Sequence, residues 1–113
     1  MQLKAGSDLV RKQNRAVVIA ALRKAGRLSR TELSTETGLS PSTVSAITSD
    51  LMSENVVLEV SETDASANRR GRPQIALALN PARATVAAVE LSLNRLSVTI
   101  SDYAATVLKE SAE

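Results

Sequence analysis

The sequence contains no cysteine, histidine, phenylalanine or tryptophan, and its one tyrosine is Tyr103. Without cysteine, no disulfide framework and no thiolate metal site can form, which fits a reducing cytoplasm. The joint absence of histidine and cysteine also weighs against an enzyme. No apolar run approaches the roughly 18 residues of a membrane span, so no membrane partner is expected. The opening "MQLKAGSDLVRKQNR" is too polar for a secretory signal, and the cytoplasm is the expected compartment. What remains for a core is aliphatic: Ala, Val, Leu and Ile in a chain of 113 residues, the size of one ordinary domain.

The charge that is present is unevenly placed. Residues 1–30 carry a net +7, residues 31–68 a net −7, residues 69–83 a net +4 and residues 84–113 a net −2. Two basic segments therefore flank an acidic middle. A charge run is ordinarily a solvated face, so the pattern needs a structural context before it implies a partner.

That context comes from the helix signals. "DLVRKQNRAVVIAALRKAG" reads as a first helix, capped by Asp8, with Val10, Val17, Val18, Ala21 and Leu22 as its apolar stripe and Gly26 as its stop. Arg11, Lys12, Arg15 and Arg23 fall on the other side. Ser29 followed by Glu32 is a capping box, opening a short helix with Leu33 inward that ends at Gly38. Ser40 and Pro41 then supply an N-cap and a first-turn proline. In the third helix Val44, Ile47, Thr48 and Leu51 share one face, while Ser42, Thr43, Ser45, Ala46 and Ser49 point away from it. Two capped helices joined by a short glycine turn have the helix-turn-helix layout. An outer face of small side chains lets the backbone sink into a major groove, where hydroxyls reach base edges or phosphates.

Downstream, "VVLEVSE" alternates as a half-buried strand, and "QIALALN" (74–80) alternates again, with Ile75, Leu77 and Leu79 on one side and Ala76 and Ala78 on the other. Between them "TDASANRRGRP" is polar and punctuated by Gly and Pro, as a hairpin loop should be. Two strands joined by a basic loop after a helix-turn-helix make a wing. Gly71 permits close backbone approach and Pro73 fixes an extended exit. Arg69, Arg70 and Arg72 are thereby expected to enter a narrow A·T-rich minor groove. The Arg-Gly-Arg-Pro stretch resembles the core of AT-hook peptides. Glu59, Glu62 and Asp64 are expected to sit away from the phosphates.

Three blocks in fixed order, "RLSRTELSTETGLSPSTVSAITSDLMSENVVLEV", "NRRGRPQIALALNP" and "ATVAAVELSLNRLSVTISDYAATVLKE", resemble the N-terminal part of bacterial regulators of the ROK family (repressors, open reading frames, kinases). The resemblance spans nearly the whole chain. It implies an α+β protein: a winged helix-turn-helix of three helices and a β-hairpin wing over 1–80, then, over 81–113, a truncated β-meander. That meander would be the first hairpin and third strand of an actin/hexokinase-like, sugar-kinase-like effector domain. Val89, Leu91 and Leu93, then Leu96, Val98 and Ile100, form its two alternating runs, separated by Asn94-Arg95. The family's effector domain is several times longer than the 33 residues after Asn80, so the chain is expected to be the leading piece of a longer polypeptide. A sugar effector, and zinc held by the family's Cys/His motif, would bind the portion beyond it, and no cofactor is expected in this chain. Kinase members of the family carry an Asp and a glycine-rich phosphate turn in the first hairpin. Here Glu90 replaces the Asp, and Ser92, Leu93 and Asn94 replace the glycines, so a phosphate cradle is not expected.

These readings converge on a sequence-specific DNA-binding regulator, a repressor of carbohydrate-related genes. Ser42, Thr43, Ser45, Ala46 and Ser49 are expected in the major groove, and Arg69, Arg70, Gly71 and Arg72 in the minor groove. Arg11, Arg15, Ser29, Arg30 and Thr31 are expected on phosphates. The partner would be double-stranded DNA, a palindromic A/T-rich operator read by a homodimer. Two other readings stay open: the leading edge of a sugar kinase, and a winged-helix module that binds protein.

Overall fold

The structure, a computed structural model, describes residues 2–61 and 75–113. These residues divide into two compact units, Met1–Leu79 and Asn80–Glu113.

In the first unit, helix α1 spans Gln2–Ala25 and so begins before Asp8, the expected cap. Gln, Leu, Lys and Ala are strong helix formers, and they outweigh one interior glycine, Gly6, whose cost is about 1 kcal/mol. The stripe that α1 buries is narrower than expected. Val18 and Leu22 are buried and Ala21 half-buried, but Val10 and Val17 are exposed. A helix that meets its neighbours along one line buries about one residue per turn, and Val10 and Val17 lie beside that line. The chain then turns at Gly26, where φ is 90°.

Strand β1, Leu28–Ser29, was not expected from the sequence pattern. Ser29 is also the N-cap of helix α2, Arg30–Thr37, with φ −75° and ψ 169°. A cap must be extended rather than helical, and that same backbone lets the dipeptide pair with a strand. The Ser29 hydroxyl accepts from the Glu32 N–H at 3.1 Å, and the Ser29 N–H donates to Glu32 Oε1 at 2.8 Å, completing the expected capping box. Leu33 is fully buried, and Gly38 closes the helix at φ 77°.

Helix α3, Pro41–Ser53, is capped by Ser40 and buries Val44, Ile47, Thr48 and Leu51, as expected. The Thr48 hydroxyl donates to the Val44 carbonyl at 2.8 Å, so this buried polar group is satisfied. Asn55, at φ 62°, ends the helix. The N–H of Val56 reaches the Leu51 carbonyl and that of Asn55 the Met52 carbonyl, the paired bonds of a Schellman stop with asparagine in the left-handed position.

Strands β2, Val57–Val60, and β3, Ala76–Leu79, complete an antiparallel sheet in the order β1-β3-β2. Leu28 faces Leu77 across one ladder and Val57 faces Leu79 across the other. Because β3 is the middle strand, Ala76 is buried along with Leu77 and Leu79, while Ile75 lies before the strand and is 52% exposed. Ile75, expected on one side with Leu77 and Leu79, is thus not buried with them.

The second unit opens with a 3-10 turn at Pro81–Arg83, capped by Asn80. It continues as an antiparallel meander of β4, Thr85–Ser92, β5, Arg95–Asp102, and β6, Val107–Ala112. Their order is β4-β5-β6. The first turn is Leu93-Asn94, closed by the Ser92–Arg95 pair, one residue earlier than the expected Asn94-Arg95. Leu93 is consequently fully exposed at the tip rather than part of the apolar run.

Candidate nucleic-acid interface

The two faces of α3 separate cleanly. Opposite the buried Val44, Ile47, Thr48 and Leu51, the residues Ser42, Ser45, Ala46 and Ser49 are exposed and Thr43 is half-buried. At the start of the helix the Ser40 hydroxyl lies 2.9 Å from Thr43 Oγ1 and 3.2 Å from Ser42 Oγ, and accepts from the Thr43 N–H at 3.2 Å. These contacts orient the first-turn hydroxyls. Further along, Ser45, Ala46 and Ser49 leave a surface with little steric bulk, which is what close approach to a groove requires.

Arg11 is exposed on α1. With Val10 and Asn14 it lines a cleft of about 700 Å³ whose other wall is Ser42, Thr43 and Ala46. The fold thereby brings one expected phosphate residue beside three expected base-facing residues. Asn14 in this cleft was not among the expected site residues, since nothing local in the sequence relates a position on α1 to one on α3.

The other expected phosphate residues are placed differently. Thr31 is exposed at the start of α2. Ser29 is only 4% exposed and its hydroxyl is committed to the cap, so it serves the fold and is not presented to a phosphate. Arg15 makes a two-pronged contact with Glu54 just beyond α3, both nitrogens 2.9 Å from a carboxylate oxygen. This forked geometry is the strong form of an arginine–carboxylate pair, and it ties α1 to the end of α3. Arg30 lies 3.8 Å from Glu59 on β2 and 3.5 Å from the Met52 sulfur. Glu59 therefore stands against one of the expected phosphate-binding side chains, not apart from them. The expected minor-groove residues Arg69, Arg70, Gly71 and Arg72, with Glu62 and Asp64, lie outside the described residues.

No helix among the described residues is long and apolar enough to cross a membrane. Comparison with known proteins agrees with the helical geometry. Residues 14–57 match the winged helix-turn-helix DNA-binding family, covering α2 and α3 whole. The chain is 29% identical to a xylose repressor of Bacillus spizizenii over 104 residues, which is 92% of this chain and 26% of that protein. A xylose repressor of Bacillus subtilis is 27% identical over the same share of each. The chain thus spans about a quarter of the length of the curated relatives it matches. In fold it is similar to a crystal structure of a ROK family transcriptional regulator, a homolog of the E. coli MLC protein. The TM-score is 0.58 at 24% identity, over 91% of this chain and 26% of that one. Residues 14–57 thus resemble a winged helix-turn-helix DNA-binding domain, and the fold of the chain is similar to part of a ROK family transcriptional regulator.

Proposed function

We propose that this chain is the operator-reading part of a carbohydrate-responsive repressor that works in the cytoplasm. The observation that carries the proposal is the division of α3, one face packed into the core and the other presenting small hydroxyl side chains. In this reading Ser42, Thr43, Ser45, Ala46 and Ser49 face the major groove, while Arg11, Arg30 and Thr31 meet phosphates that set the register. Arg69, Arg70 and Arg72, with Gly71 between them, enter the adjoining minor groove. A homodimer on a palindromic A/T-rich operator follows from the way helix-turn-helix proteins read paired half-sites. The carbohydrate link rests on the two xylose repressors, and the sugar effector, with any zinc, would bind a part of the protein beyond the quarter matched here.

The hairpin of the second unit has no part in phosphoryl transfer in this reading. Glu90 is an exposed residue in the middle of β4, paired with Ser97, and the turn is Leu93-Asn94 without glycine. Fluorescence anisotropy with labelled duplexes tests the DNA reading. Replacing Ser45 and Ser49 together by glutamate should remove binding while leaving the melting temperature in place. Arg72→Ala should weaken binding mainly on duplexes with A·T-flanked sites. Equal losses on A·T- and G·C-flanked duplexes would remove the minor-groove assignment.

A further inference from the structure

Arg15 and Arg30, two described arginines of the first unit, face carboxylates and are held in different ways. Arg15 is gripped by two hydrogen bonds of 2.9 Å to Glu54. Arg30 stands 3.8 Å from Glu59, too long for a hydrogen bond, with its guanidinium also resting on the Met52 sulfur. Its side chain is 37% exposed and that of Glu59 45%. Arg30 thus donates to the Met52 sulfur but is not hydrogen-bonded to Glu59. It opens α2 directly after the Ser29 cap, beside the exposed Thr31. Glu59 sits on β2, the strand that pairs with β3 in the register Glu59–Leu77.

We propose that Glu59 is an affinity-setting residue: it occupies the Arg30 guanidinium until a DNA phosphate replaces it. The inference rests on the DNA-binding reading above. Both competitors carry one negative charge, so the exchange is nearly balanced electrostatically. The phosphate gains from direct charge-assisted hydrogen bonds and from counterion release. The carboxylate gives up only an exposed, loosely held ion pair. Every duplex must displace Glu59, whatever its sequence, because phosphate contacts carry no base information. Glu59 therefore lowers specific and non-specific affinity alike and limits occupancy of random DNA. Arg15 and Glu54 do not take part, since their forked pair ties α1 to the residue that caps the end of α3.

The test measures binding of the 113-residue chain to an A·T-rich and a G·C-rich duplex of equal length, by anisotropy over a range of salt. Glu59→Gln should raise affinity for both duplexes by about two- to five-fold, the worth of an exposed ion pair. Arg30→Gln should lower affinity for both and flatten the salt dependence by about one phosphate contact. The deciding protein is the double variant: with Arg30 replaced by Gln, Glu59→Gln should no longer raise affinity. An equal rise in that background would mean that Glu59 acts by general repulsion of DNA, and the proposal would fall while the DNA-binding reading stood. A rise confined to one duplex would overturn the proposal in the same way. Failure of the unaltered chain to bind either duplex would overturn both. Thermal melts of each variant identify any loss caused by unfolding, and Arg30→Lys, which keeps the charge, supplies a second variant that should retain most of the affinity.

Discussion

The helical unit and the strand meander are written with the same aliphatic residues but use them differently. In the first, Leu33, Leu51 and Leu77 are wholly buried, while in the second Val89 is 66% and Leu91 77% exposed. The meander is nonetheless well paired, with an unbroken β4–β5 ladder from Thr85–Asp102 to Ser92–Arg95. Ala87, Val89 and Leu91 share a face with Leu96, Val98 and Ile100 through their cross-strand pairs. Alternation specifies a strand and the face it offers, whereas burial needs a second layer over that face. The helical unit supplies that layer internally because three helices and a small sheet enclose one core. Within the meander, one sheet alone does not.

The sharpest way to break this comparison is to delete the same kind of side chain from both regions. Leu51→Ala should cost about 2–5 kcal/mol, the range for a buried leucine leaving a cavity. Leu91→Ala should change stability by no more than about 0.5 kcal/mol, as exposed substitutions do. Urea denaturation followed by helical circular dichroism for Leu51, and by amide exchange of the β4–β5 ladder for Leu91, gives both numbers. A comparable loss for Leu91 would show that its face is covered in solution.

The sequence made the helical unit legible wherever a local rule was sufficient. Ser29 with Glu32, Ser40 with Pro41, and Gly38 each fix a helix end through bonds to nearby backbone, so their signals lie within a few residues. The stop at Asn55 was readable by the same logic, because asparagine tolerates the left-handed conformation. Asp8 misled because a cap signal competes with helix propensity on its N-terminal side, and propensity won. Strand β1 is two residues long and has no period to detect. The misplaced hairpin turn has a different cause. Moving the turn by one residue shifts each cross-strand partner by two, so every side chain keeps its face, and alternation cannot tell Leu91 opposite Leu96 from Leu91 opposite Val98. In the candidate interface, the α3 face was legible from helical spacing. The engagement of Arg15 by Glu54 and of Arg30 by Glu59 was not, since each pair joins residues distant in sequence.

Gly38 offers a smaller, purely conformational test of the helical unit. A Cβ added there would meet nothing within 4 Å, yet φ is 77°. Gly38→Ala should therefore cost about 1–2 kcal/mol from backbone strain alone, and Gly38→Asn should cost less. Equal losses for the two would point to a packing defect instead. The capping box comes next in size. Ser29→Ala should cost about 1 kcal/mol, and in a thermodynamic cycle with Glu32→Ala the two losses should sum to more than the double variant loses, because each residue bonds the other's backbone.

The smallest expected effect is a gain, and it belongs to the meander. Ala105 has φ 75° in the turn between β5 and β6. There its N–H donates to the Asp102 carbonyl at 3.1 Å, and the Asp102 N–H donates to the Thr106 carbonyl at 3.0 Å. Asp102 Oδ1 also accepts from the Thr106 N–H at 2.9 Å, so the surrounding bonds hold alanine where glycine is favoured. Ala105→Gly should relieve about 1–2 kcal/mol of left-handed strain and give back about 0.4–1 kcal/mol through the freer unfolded chain. The net gain of roughly 0.5–1 kcal/mol should appear as slower amide exchange along β5 and β6. Helical melting should not move, because the strain lies in a unit with its own hydrogen bonds. An equal rise in helical stability would mean that the two regions unfold as one, and the contrast between a self-covered unit and an uncovered sheet would then describe only their surfaces.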